Sequence, residues 1–134
     1  MLKRTLFAAS TLAIVTVAGA SSAKPALKDV AYVREGIIAA GIAYEISEEC
    51  GDISARLFRG LSFLNGLKSH ARDLGYTEAE IDAYIDDKAE KNRLEGIARA
   101  RLADLGAVPG NAQSHCTVGR AEIAKGSAIG RLLR

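Results

Sequence analysis

An all-α fold, a small bundle of about five helices tied by one disulfide and preceded by a signal peptide, is what this sequence predicts. Three observations carry the prediction. Apolar residues recur at helical spacing throughout the chain after residue 23, and no β-branched run alternates as a half-buried strand would. The only prolines are Pro25 and Pro109, so the long segment between them has no proline to break a helix. The only cysteines are Cys50 and Cys116.

Residues 1–23 have the layout of a secretory signal: Lys3 and Arg4 first, then an apolar run from Leu6 to Ala18, then small residues. Cleavage after Ala23 or after Ala20 fits the small-residue rule, and Lys24 with Pro25 favours the cut after Ala23. The rival is an uncleaved anchor. The uncharged run from Thr5 to Ala23 approaches the roughly 20 residues that cross a bilayer, but its second half, rich in small and hydroxyl residues, is only mildly apolar.

Removing that leader changes the charge argument. The chain has 18 Lys and Arg against 16 Asp and Glu, and Lys3 and Arg4 lie in the leader, which leaves 16 against 16. A neutral domain lacks the cationic surplus that nucleic acid demands. The same count argues against a polybasic membrane-surface role, so no membrane partner is expected after cleavage. Of 134 residues, 111 remain as residues 24–134, enough for one domain with one core. That core has no Trp and must be aliphatic, a composition that gains from a covalent staple.

In an oxidising compartment an isolated cysteine pair forms a disulfide. The Cys50–Cys116 link would close a loop of roughly 66 residues. A metal site built from Cys50, Cys116 and His115 is the alternative, but the chain has no C-x-x-C or H-x-x-x-H spacing. No metal or other cofactor is expected.

The first helix is expected over Lys28–Glu49. Its centre, Gly36 to Tyr44, is uncharged all round, as in a helix its neighbours surround, and Gly36, Ala40 and Ala43 form a small-residue stripe. A turn at Cys50-Gly51-Asp52 leads to a second helix from Asp52 or Ser54 to Leu74, stopped by Gly75. Its apolar face reads Leu57, Leu61, Leu64, Leu67, Ala71 and Leu74. Thr77 with Glu80 makes a capping box, and Tyr76 with Ile81 a hydrophobic staple, opening a short third helix that ends near Ile85. Asp86-Asp87 can cap a fourth, with Glu90 three residues beyond Asp87; it buries Leu94, Ile97, Ala98, Leu102 and Leu105 and stops at Gly106. The last begins near Asn111 or Ser114 and ends at Lys125, before Gly126-Ser127, and an apolar tail with Ile129, Leu132 and Leu133 is expected to dock on the body.

Catalytic patterns are weak. Ser62 or Ser69 with His70 and Asp73 can be written as a triad, but Ser69 and His70 point in different directions and no strained turn exposes a nucleophile. Glu78, Glu80, Asp86, Asp87 and Glu90 lie where helix N-termini attract negative charge. Gly119, Gly126 and Gly130 are too dispersed for a phosphate loop. Phe58 is harder to place. It lies about 100° from Leu57, on the side that carries Ser62, Asn65, Ser69 and Arg72. An aromatic in a polar ring is an interface anchor, whereas in a layered bundle a neighbouring helix covers it; coverage is the expectation.

Two stretches, Ser54-Ala-Arg-Leu-Phe-Arg-Gly-Leu-Ser-Phe-Leu-Asn-Gly-Leu67 continuing to Ile81, and Cys116-Thr-Val-Gly-Arg-Ala-Glu-Ile-Ala-Lys125 continuing to Leu133, carry a resemblance. With Cys50 and the leader they resemble a family of small exported bacterial proteins filed as a domain of unknown function. The resemblance implies a helical secreted domain and assigns no catalytic residue.

The function expected is therefore that of an exported periplasmic protein that is not an enzyme and works by binding another protein. Phe58, Ser62, Asn65 and Arg72 are the surface to examine, with Ile129 and Leu132 of the tail as a second choice of anchor. An acid-stress chaperone that exposes its core as carboxylates are neutralised is the alternative. A hydrolase with a site near His70 ranks last.

Overall fold

The computed structural model describes residues 23–134, so the expected leader lies outside the described residues except for Ala23. Among the described residues there are five α-helices: α1 (Ala31–Glu49), α2 (Leu57–Asp73), α3 (Glu78–Asp86), α4 (Lys88–Leu105) and α5 (Ala112–Lys125). Short 3-10 turns at Leu27–Asp29 and Gly130–Leu132 bracket them. None of these helices is long and apolar enough to cross a membrane.

The helix on which the others pack is α1, with α2, α4 and α5 against it. Ile38, Ile42 and Ile46 recur at i, i+4 and i+8 and are almost wholly buried, so one apolar stripe of α1 forms the centre of the core. Leu94, Ala98 and Leu102 of α4, and Cys116 and Val118 of α5, complete it. The uncharged centre is not enclosed all round, however: Gly41 and Tyr44 face solvent. A smaller cluster gathers Leu27, Val33, Ala71, Tyr76 and Ile81 at the other end of α1. The small-residue stripe allows close packing. At Gly36 the Leu67 methyls of α2 occupy the place where a Cβ would stand, 2.6 and 2.8 Å away.

The helix starts that depend on local chemistry lie where the sequence places them. Thr77 Oγ1 accepts from the Glu80 amide and the Glu80 carboxylate accepts from the Thr77 amide, at 3.2 and 2.7 Å, closing the capping box. The staple residues Tyr76 and Ile81 are both buried. Asp87 Oδ1 accepts from the Glu90 amide and Asn111 Oδ1 from the Ser114 amide, each at 3.0 Å. Gly106 and Gly126 end α4 and α5 in the left-handed conformation that C-capping uses.

Three expectations are corrected. α1 starts at Ala31, after the 3-10 turn, rather than at Lys28. α2 starts at Leu57, not at Asp52 or Ser54, because the residues before it pair with the C-terminal tail. Ser54 and Arg134 exchange both backbone hydrogen bonds, at 2.8 and 3.0 Å, and the Arg56 amide donates to Leu132 O at 2.8 Å. This antiparallel bridge satisfies amides that a Ser54 cap would have drawn into a helix. Lastly, Leu105 is exposed, and Leu57, Leu61, Leu64 and Leu74 of the expected apolar face of α2 are exposed too.

Candidate functional site

Packing divides α2 by direction. Leu67 and Ala71 face α1 and are buried, and Phe63 packs partly against the main core. Leu57 and Leu61 lie about 80–120° round the helix from Leu67 and are 74% and 61% exposed. Phe58, beside them, is 90% exposed, so the expectation that a helix covers it is corrected. Ser62 and Asn65 are exposed beside it. A single exposed leucine needs no explanation, but several apolar side chains within two turns of one helix make a patch. The signal was in the sequence: Leu57, Phe58, Leu61, Phe63, Leu64 and Leu67 span more of the circumference than the roughly 100° stripe a core-facing helix requires.

Arg72 does not join this patch. Its guanidinium pairs with the Glu78 carboxylate at the start of α3, with Nε donating to Oε1 and Nη2 to Oε2. That pairing, first through the hydrogen bond and then through charge, holds the Glu78 carboxyl below its ordinary value. Arg72 lies some four turns along the helix from Phe58 and braces the α2–α3 junction. The tail is no anchor either. Leu132 and Leu133 are buried, and Ile129 packs partly against the core.

His70 is half-buried with its ring against Tyr32 of α1, centroids 4.4 Å apart. Among the described residues no hydrogen bond joins it to Asp73 or to Ser69, so the triad geometry is not assembled there. Cys50 and Cys116 are bonded, with Cα atoms 5.1 Å apart, joining the end of α1 to the first half of α5. His115, next to Cys116, is buried with Nδ1 2.9 Å from Asn111 O, a contact that binds it to its own helix start.

Two further carboxylates, Glu90 and Glu35, are structural. Glu90 is buried and accepts from Arg93 Nε and Nη2 at 2.8 and 2.7 Å. The Arg93 hydrogen bonds outweigh burial and hold the Glu90 carboxyl below its ordinary 4.5. Glu35 of α1 pairs with Arg101 of α4, with Arg34 adding a second bond, and is depressed likewise. Groups with lowered folded values contribute stability that is complete above the unfolded value and is lost as pH falls through the folded value. The melting temperature should therefore fall as pH drops below about 4.5, and Glu90→Gln should flatten that dependence. Melts followed by near-UV circular dichroism across this range check it. A melting temperature that does not move with pH overturns it and removes the acid-chaperone alternative as well.

A family described as a family of unknown function, DUF5333, matches residues 25–134. The chain belongs to this family. The match covers the whole helical body, from the segment before the first 3-10 turn to the tail that pairs with Ser54. No curated protein and no solved structure matches the chain. Membership in DUF5333 assigns no activity, and the functional reading therefore rests on the surface of α2.

Proposed function

We propose that the mature domain, residues 24–134, is an exported, non-catalytic module that binds another protein through the N-terminal half of α2. The observation that carries this reading is the exposure of Phe58 together with Leu57 and Leu61. Aromatic side chains flanked by polar groups are the usual anchors of protein interfaces, where the buried ring supplies most of the energy. Ser62 and Asn65, exposed about one and two turns further along the same side of α2, can orient a partner through hydrogen bonds. The basic leader and the paired cysteines support export, since a lone disulfide persists in an oxidising compartment.

Phe58→Ala is the test. The ring contributes little to folding when solvent surrounds it, so the melting temperature should stay within the small range of a surface substitution. Capture of a partner from periplasmic extract by the tagged protein, read by mass spectrometry, should weaken by roughly 2 kcal/mol, about 30-fold in Kd. Unchanged capture sinks the anchor. A loss of several kcal/mol of stability would place the ring in the core instead.

A further inference from the structure

Beyond the Phe58 patch, towards the C-terminal half of α2, lies an apolar groove of about 480 Å³. Its floor is the face of α1 bearing Ile37 and Ile38; Leu67 stands on the α2 side, Tyr84 on α3 and Leu94 on α4. The groove exists because α2 and α4 both pack on α1 while the short α3 bridges them at one end only. In size it falls within the range of small-molecule sites, which are mostly apolar with a few polar groups that orient the ligand. A helix about 10–12 Å across, rising about 5.4 Å per turn, would fill that volume with roughly one turn. The groove is therefore better matched to a chain of methylenes than to a partner helix.

The charges at its rim are uneven. Glu90 is neutralised by Arg93, and Glu95 pairs with Arg99 at 3.6 Å. Glu78, the carboxylate that acts on Lys68 through space, is committed to Arg72. Among the described residues neither Lys68 on α2 nor Lys91 on α4 forms an ion pair, although both line the groove. An apolar trough whose acidic groups are compensated and whose two lysines are not is complementary to an anion with an apolar body. We propose that this groove binds one alkyl-chain carboxylate, with the chain along the Ile37–Ile38 floor and the head paired with one of the two lining lysines, Lys68 on the α2 side or Lys91 on the α4 side.

Calorimetric titration of the purified protein with dodecanoate below its aggregation concentration tests this, with octanoate, dodecanol and dodecyltrimethylammonium as comparators. One dodecanoate should bind per chain. Affinity should rise from octanoate by up to about fourfold for each methylene that becomes buried. The carboxylate should bind about tenfold more tightly than the alkylammonium. Lys68→Gln/Lys91→Gln, two changes at side chains without an ion partner, should remove that tenfold preference and leave dodecanol binding unchanged. Phe58→Ala should leave dodecanoate binding intact, so this proposal and the protein-binding reading fail separately. Equal binding of the two charged amphiphiles, or a preference that survives in the double variant, overturns the proposal. Retention only by an acidic amphipathic peptide or by anionic vesicles, with no uptake of free dodecanoate, overturns it too.

Discussion

Reducing the Cys50–Cys116 bond, or replacing both cysteines with alanine, is expected to lower the stability of the fold by about 4 kcal/mol. The bond closes a loop of 66 residues that contains α2, α3 and α4. In the chain-entropy account, releasing that constraint enlarges the unfolded ensemble far more than a short loop would. Both cysteines are buried in the main core, so alanine also removes packing atoms beside Ile46 and Ile53. Against the 5–15 kcal/mol typical of a domain, about 4 kcal/mol is a large share. It corresponds to a drop in melting temperature of the order of 15 °C. Thermal melts followed by far-UV circular dichroism, with and without reductant, check this. An unchanged melt would show that the packing of α5 on α1 suffices alone. Free thiols in protein purified under oxidising conditions would contradict the export reading.

Gly130→Ala is the second substitution expected to have a large effect. A Cβ at Gly130 would stand 1.9 Å from Glu122 O and 2.6 Å from the Ile123 amide nitrogen. Both are backbone atoms of α5, so no change of rotamer can relieve the clash. The tail would have to lift, breaking the Ser54–Arg134 pair and exposing Leu132 and Leu133, which are buried. The cost should be about 3 kcal/mol, the upper part of the range for overpacking. Hydrogen exchange at the Ser54 and Arg56 amides should accelerate together with it. Gly66→Ala supplies the contrast. Gly66 lies exposed in α2 with nothing within 4 Å of a new Cβ, and the change should stabilise by roughly 0.5–1 kcal/mol. If Gly130→Ala melts like wild type, the tail is not held as described.

Much of the fold was legible because its signals are local. The Thr77–Glu80 box and the glycine stops at Gly106 and Gly126 act over three or four residues and lie where the sequence places them, while the structure selects Asp87 from Asp86-Asp87 and Asn111 from Asn111 or Ser114 as the caps of α4 and α5. The paired cysteines were legible by elimination, there being no third thiol and no short metal-ligand spacing. The start of α2 was not. Asp52 and Ser54 are good local caps, but the backbone there pairs with a tail that arrives from the far end of the chain.

The candidate surface was half legible. Periodicity determined that Leu57, Leu61, Leu64 and Leu67 share one side of α2, and it marked Phe58 as an aromatic out of place. It did not determine which part of that side the bundle would cover. That was decided where α2 meets α1, at Gly36, whose missing side chain admits the Leu67 methyls. Seating Leu67 there turns Leu57, Phe58 and Leu61 towards solvent and holds α2 apart from α4 over the apolar groove. The sequence by itself thus determined most helix bounds and caps, because those depend on near neighbours along the chain, and the covalent tie, because only two thiols are available to form it. Which apolar residues lie in the core and which on the surface depends on distant segments filling one another's gaps, so only the tertiary structure decided it.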